Sequence, residues 1–163
     1  MMNRQSILKG LRAARSSQLQ WIAFTRSLAD HPASSERFSK SALLAQKRFE
    51  EWYYGAAKPL SRLAAFELIS ANHKALTELQ DQILETLNQP APAETDRFLS
   101  WFRDPRRHNP ALQQLIGKAQ RRSQRLLDGL EILEKEIQTL PNETLQKLAS
   151  SDYVDNNVRF LIN

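Results

Sequence analysis

Apolar side chains along this chain recur every three or four residues and nowhere settle into strand-like alternation. In residues 3–29, Ile7, Leu8, Leu11, Ala14, Leu19, Ile22 and Leu28 fall at helical spacing, which predicts one long amphipathic helix. Gln18 lies on the stripe made by Leu11, Ala14, Trp21, Ile22 and Thr25, so a polar amide is directed toward the interior. His31-Pro32 closes that helix, because the residue before a proline is pushed out of helical geometry. Ser34 or Ser35 is placed to cap a second helix, with Phe38, Ala42, Ala45, Phe49 and Trp52 inward and Gly55 as its C-terminal stop. Lys58-Pro59 makes a short connection, and Ser61 is the expected cap of a third helix. Its buried stripe reads Phe66, Ile69, His73, Leu76, Gln80, Ile83 and Leu87, with Thr77 one turn beyond His73.

A polar, proline-bearing stretch over residues 88–95 then interrupts the pattern. A short aromatic helix with Phe98, Trp101 and Phe102 is expected to end at Asp104-Pro105. Asn109-Pro110 reads as a cap followed by a first-turn proline. From there Leu112, Ile116, Ala119, Ser123, Leu126, Leu130, Leu133, Ile137 and Leu140 repeat as a heptad seam, to be buried in its own bundle or against a second chain. Pro141 stops the seam and Asn142 caps a short helix to about Ala149. The tail, with Val158, Phe160, Leu161 and Ile162, is expected to dock. These periods predict an all-α, four-helix-bundle-like domain with additional short helices and crossings of roughly 20°. Residues 1–88 supply three helices, 89–109 a linker with the aromatic helix, and 110–163 the seam helix, short helix and tail, in one domain overall.

Composition narrows the chemistry. The 163 residues are 41% apolar and 25% charged with only four Gly, as in a helix-rich globular protein with one sizeable core. The absence of cysteine removes disulfides, thiolate nucleophiles and Cys-ligated metal sites. No apolar run approaches the roughly 18 residues that span a bilayer, and no apolar stretch of a secretory signal follows the N-terminal cations, so no membrane contact and a cytoplasmic location are expected. The net charge of +5 is unevenly spread. Arg4, Lys9, Arg12, Arg15 and Arg26 precede the first acid, Asp30, whereas Asp128 to Glu136 is mostly acidic, and one end of a molecule could meet the other. Cations in a first helical turn oppose the macrodipole, so propensity does not account for Arg4 and Lys9.

Catalytic signals are weak. The three histidines form no His-Glu-x-x-His pattern, and no serine elbow or phosphate loop is present. Glu50 with Glu51, and Glu78, Asp81 and Glu85, read as solvated helix faces. A non-enzymatic protein is expected. Arg103, Arg106, Arg107, Lys118, Arg121, Arg122 and Arg125 gather near Trp101 and Phe102, a composition suited to neutralising phosphates and stacking on bases, and nucleic-acid binding is the alternative reading. No recognisable nucleic-acid-binding module frames the cluster.

Gln18-Leu19-Gln20-Trp21 on the first helix, Lys47 to Trp52-Tyr53-Tyr54-Gly55 on the second, and Leu63 to Leu79 with Phe66, His73 and Thr77 on the third resemble the chemoreceptor zinc-binding (CZB) domain family over about Arg15 to Leu87. The resemblance implies a bacterial four-helix bundle, often homodimeric, serving chemoreceptors or diguanylate cyclases. It also implies a zinc ion held by three histidines and one cysteine, whose positions here are Gln18, Lys47, His73 and Thr77. Trp21, Trp52, Tyr53, Tyr54, Gly55 and Phe66 form the motif core of that resemblance. Only His73 retains a ligand type that zinc accepts. The expectation is therefore a regulatory interaction protein on a CZB-like scaffold without a metal or other cofactor. Lys47 or Gln18 would satisfy the cavity by hydrogen bonding, and protein partners would read the seam. A zinc sensor with substituted ligands is the remaining alternative.

Overall fold

A computed structural model describes residues 3–30, 35–89 and 109–150, apart from the side chains of 35–39. The described residues contain helices and no strand. Helix α1 spans Arg4–Asp30, α2 Ser35–Glu51, α3 Ala64–Asn88 and α4 Pro110–Thr139, and residues 142–150 form the short α5. The expected aromatic helix near Trp101 and the apolar tail lie outside the described residues.

The long helices run alternately up and down. Gln18 on α1 meets Ser123 on α4, and nearer the N-terminus Arg12 meets Glu134, so α1 and α4 are antiparallel. Gln46 and Glu50 on α2 face Gln80 and His73 on α3 in the same reversed sense. The core is the shared interior of the four helices. Every seam residue from Leu112 to Ile137 is buried, with Leu126, Leu130, Leu133 and Ile137 at 0% exposure. The seam is thus covered within its own chain and offers no outer face to a partner.

Local sequence explains the helix ends. Asn3 accepts a hydrogen bond from the Ser6 amide at 2.7 Å, and Asn109 accepts from the Ala111 and Leu112 amides at 3.1 and 3.3 Å, so each satisfies N–H groups that have no intrahelical acceptor. The α2-to-α3 corner departs from the sequence expectation. Gly55 does not close α2 in a left-handed conformation; it lies within a wide π turn, Trp52–Ala56, closed by the Ala57 amide donating to the Trp52 carbonyl at 2.9 Å. Ser61 does not cap α3, because Lys58–Arg62 forms a 3-10 turn and α3 begins at Ala64 after extended Leu63. Pro59 lacks an N–H and cannot prolong the preceding helix, so the chain tightens before turning back.

Two glycines permit close packing. A Cβ on Gly129 would stand 3.0 Å from the Ile69 side chain, which brings α4 against α3. A Cβ on Gly10 would stand 3.2 Å from the Trp52 ring, so the bare backbone there receives the indole. Three of the five cations of α1 face α4 and its end: Arg4 donates to the Leu140 carbonyl, Arg12 pairs with Glu134 at 2.9 Å, and Arg15 lies near enough to favour ionised Glu131. Antiparallel packing sets the start of α1 at the negative end of α4. The charge asymmetry between chain ends is used, at least in these contacts, within one molecule.

Candidate functional site

Midway along the bundle the apolar interior gives way to a layer of polar side chains. The α1 stripe delivers Gln18 and Trp21, the α2 period Gln46 and Glu50, and the α3 period His73, Thr77 and Gln80. Ser123 comes from the α4 seam. Trp21 Nε1 donates to Gln80 Oε1 at 2.6 Å, Gln80 Nε2 donates to Gln46 Oε1, and Gln46 Nε2 donates to Glu50 Oε1 at 2.8 Å. Gln18 Nε2 donates separately to Ser123 Oγ at 2.9 Å. All four helices are tied through side chains in this layer, and buried polar groups are costly unless satisfied in this way.

Gln18, Trp21, Gln46, Phe49, His73, Leu76, Thr77 and Gln80 line a small, partly open cavity of about 20 Å³. That is room for about one water molecule and not for a metabolite. His73 is 7% exposed and packed between rings, with centroids 5.2 Å from Phe49 and 4.8 Å from Tyr53. Burial lowers its pKa below the ordinary histidine value, partly offset by the Glu50 carboxylate, whose oxygen lies 3.9 Å from Nε2. The imidazole is therefore held mainly neutral near pH 7. Thr77 Oγ1 donates to the His73 carbonyl at 3.1 Å, turned back along its own helix.

Of the positions singled out by the CZB resemblance, Gln18, His73 and Thr77 line this one cavity and Lys47 does not. Lys47 is exposed: the inward positions of α2 are Ala42, Ala45, Gln46 and Phe49, and the next residue after Gln46 falls on the outer face. Leaving the ammonium in water also avoids burying a charge. In the motif core, Trp21, Trp52 and Phe66 are buried, and Tyr53 is half-buried with its hydroxyl 2.6 Å from Ser70 Oγ. Tyr54 and Gly55 lie at the surface, Tyr54 68% exposed with its ring edge-on to Tyr53, because the π turn rotates them away from the interior.

Two contributors escape a reading for apolar period alone. Gln46 follows Ala42 by one turn, so the α2 stripe could have found it. Glu50, which reads as part of a solvated pair with Glu51, is half-buried and closes the amide chain beside His73. The donor set does not fit a structural zinc, which takes four ligands from thiolate, neutral imidazole and carboxylate. His73 and Glu50 are one imidazole and one carboxylate; the other groups are amides and a hydroxyl engaged in hydrogen bonds. Among the described residues no group of three or more His, Cys, Asp or Glu side chains converges.

The described part of the basic cluster occupies a separate surface. Lys118, Arg121, Arg122 and Arg125 are exposed on α4 and line an open groove of about 490 Å³ with Ala75, Glu78, Leu79 and Gln82 of α3. Arg103, Arg106 and Arg107 lie outside the described residues. No described helix is long and apolar enough to cross a membrane. Comparison with protein-family models, with curated proteins and with solved structures finds no match for this sequence.

Proposed function

We propose that this chain is a non-enzymatic bacterial regulatory module built on a CZB-like bundle, in which a hydrogen-bonded amide layer stands where such a domain holds its metal. The observation that carries this reading is the run from Trp21 through Gln80 and Gln46 to Glu50, beside a cavity lined by Gln18, His73 and Thr77. A layer whose donors and acceptors match in only one helix register specifies that register, the best-attested role of polar groups inside helical assemblies. Its mechanism is conformational: the layer sets how the helices stand against one another, and a protein partner reads the resulting outer surface. Leu19 on α1 and Leu43 and Leu44 on α2, each about half exposed at 50%, 48% and 51%, are apolar side chains that a protein contact would cover, in the simplest case with a second copy. The CZB resemblance suggests service to a chemoreceptor or a cyclic-dinucleotide enzyme.

The test is elemental analysis of protein purified without an affinity tag, with light scattering on the same sample. The expected result is far less than one zinc per chain and a particle of twice the 18.8 kDa chain mass. One zinc per chain, lost in His73→Ala, would overturn the metal-free reading and make the domain a zinc sensor. A strict monomer would remove self-association from it.

A further inference from the structure

The cationic groove is not used by the polar layer, and its chemistry is distinct. Lys118, Arg121, Arg122 and Arg125 follow one another at steps of three, one and three, which places them on one side of α4. They cover about 10 Å of helix length at 1.5 Å per residue. Among the described residues none of the four makes a hydrogen bond or an ion pair, in contrast to Arg12, which is matched by Glu134. Within the groove Glu78 is the one carboxylate facing four positive charges. The floor is Ala75 and Leu79, with the Gln82 amide at one end.

We propose that this groove binds single-stranded nucleic acid by its phosphates. Three of the four cations are arginine, whose planar fork matches phosphate oxygens in pairs. The four cations lie along an open groove lined by two antiparallel helices, so an extended strand can lie along it. Apolar residues and a single amide on the floor leave nothing to read base identity and no ring on which bases could stack, so binding rests on the phosphates and is independent of sequence. An acidic protein segment would satisfy the same charges, but the groove presents neither a deep apolar pocket nor a free strand edge to hold one. The site lies on the side of α3 away from His73, so it stands or falls independently of the metal-free reading.

The experiment is fluorescence anisotropy of a labelled oligothymidylate of fifteen nucleotides with the full chain. For single strands the binding constant falls with salt at a slope of about −0.7 per phosphate contact, so four contacts predict about 50-fold weaker binding on raising salt from 50 to 200 mM. Arg121→Gln, Arg122→Gln and Arg125→Gln combined should flatten that slope by about 2. Because the three side chains are exposed, melting temperature should be unchanged. Glu78→Gln should tighten binding roughly twofold by removing the opposing charge, a gain that a merely structural effect would not produce. No binding at 50 mM salt, an unaltered slope in the triple variant, or equal competition by polyglutamate of the same length would each overturn the proposal.

Discussion

Between α3 and α4 the contact is close and largely apolar. Ile69 stands against Gly129, and Ile83, Leu126, Leu130 and Leu133 are wholly withdrawn from water. Across the bundle, where α1 and α2 meet α3, the interior is filled by Trp21, Gln80 and Gln46, joined by hydrogen bonds, with Gln18 and His73 beside them around a cavity for about one water molecule. The two regions use opposite physics. Apolar contact is strong and non-directional, constraining alignment only through side-chain shape, as at Gly129; amide pairing contributes less, about 1 kcal/mol per bond, but tolerates no slip because an orphaned partner carries its full desolvation cost. The apolar side holds the bundle together, and the polar side decides how its helices are aligned.

The strongest way to break that division is to treat the apolar side as if it were polar. Leu130 is 0% exposed, and Leu130→Asp should cost on the order of 5 kcal/mol or more. That is comparable to the whole stability of an ordinary domain, so helical circular dichroism and the melting transition should both be lost. Leu130→Ala should cost about 2–5 kcal/mol and leave a cooperative, lower transition. A folded Leu130→Asp with unchanged melting would mean that the seam is not the core of the bundle.

The complementary change tests the polar side. Gln80→Leu removes the middle of the chain, leaving the Trp21 indole N–H and the Gln46 carbonyl oxygen without their partner. The expected loss is about 1–3 kcal/mol by chemical denaturation, although the new residue is more apolar than the old. The tryptophan emission of Trp21 should change with it. An increase in stability would show that the layer is not satisfied by these bonds.

The apolar side was legible in the sequence and much of the polar side was not. Leu112 to Ile137 repeat at fixed intervals, and burial follows from the interval alone. Gln18, His73 and Gln80 were also found, since each interrupts an apolar stripe. Gln46 and Glu50 were missed because they sit at the margin of the α2 stripe, where a polar residue reads equally as surface; the spacing from Ala42 hints at Gln46, and the position of α3 gives both their partners. Lys47 misled for the converse reason: alignment to a motif assigns a position, but the helix period at Ala42, Ala45 and Phe49 assigns a direction, and the direction is outward. The corner at Trp52–Ala56 was misread because a glycine after a helix suggests a left-handed cap, whereas this chain turns through a π turn and a 3-10 turn with Pro59.

The smallest expected effect sharpens the comparison most, since it separates the polar layer from everything around it. His73 has its pKa lowered by burial, with Glu50 the one charge found to raise it. The unfolded chain, with a histidine near 6.5, therefore takes up a proton at higher pH than the folded protein does. Stability from neutral His73 is fully present above that value and is lost progressively as pH falls below it, toward the lowered folded value. The remaining histidines and the carboxylates titrate as well, so the informative quantity is the difference between wild type and His73→Gln, measured by denaturant unfolding at steps from pH 8 to pH 5. The wild-type curve should fall more steeply on the acid side, and the two curves should run parallel above about pH 7.5. If Glu50 instead held the imidazolium as a buried ion pair, the sign would reverse and wild type would gain on the variant as acid is added. Gln46→Leu should then act on the same curve without touching a titrating group, because it frees the Glu50 carboxylate from the amide that now occupies it. A freed carboxylate is a better partner for the charged ring, so that variant should lessen the acid loss rather than deepen it.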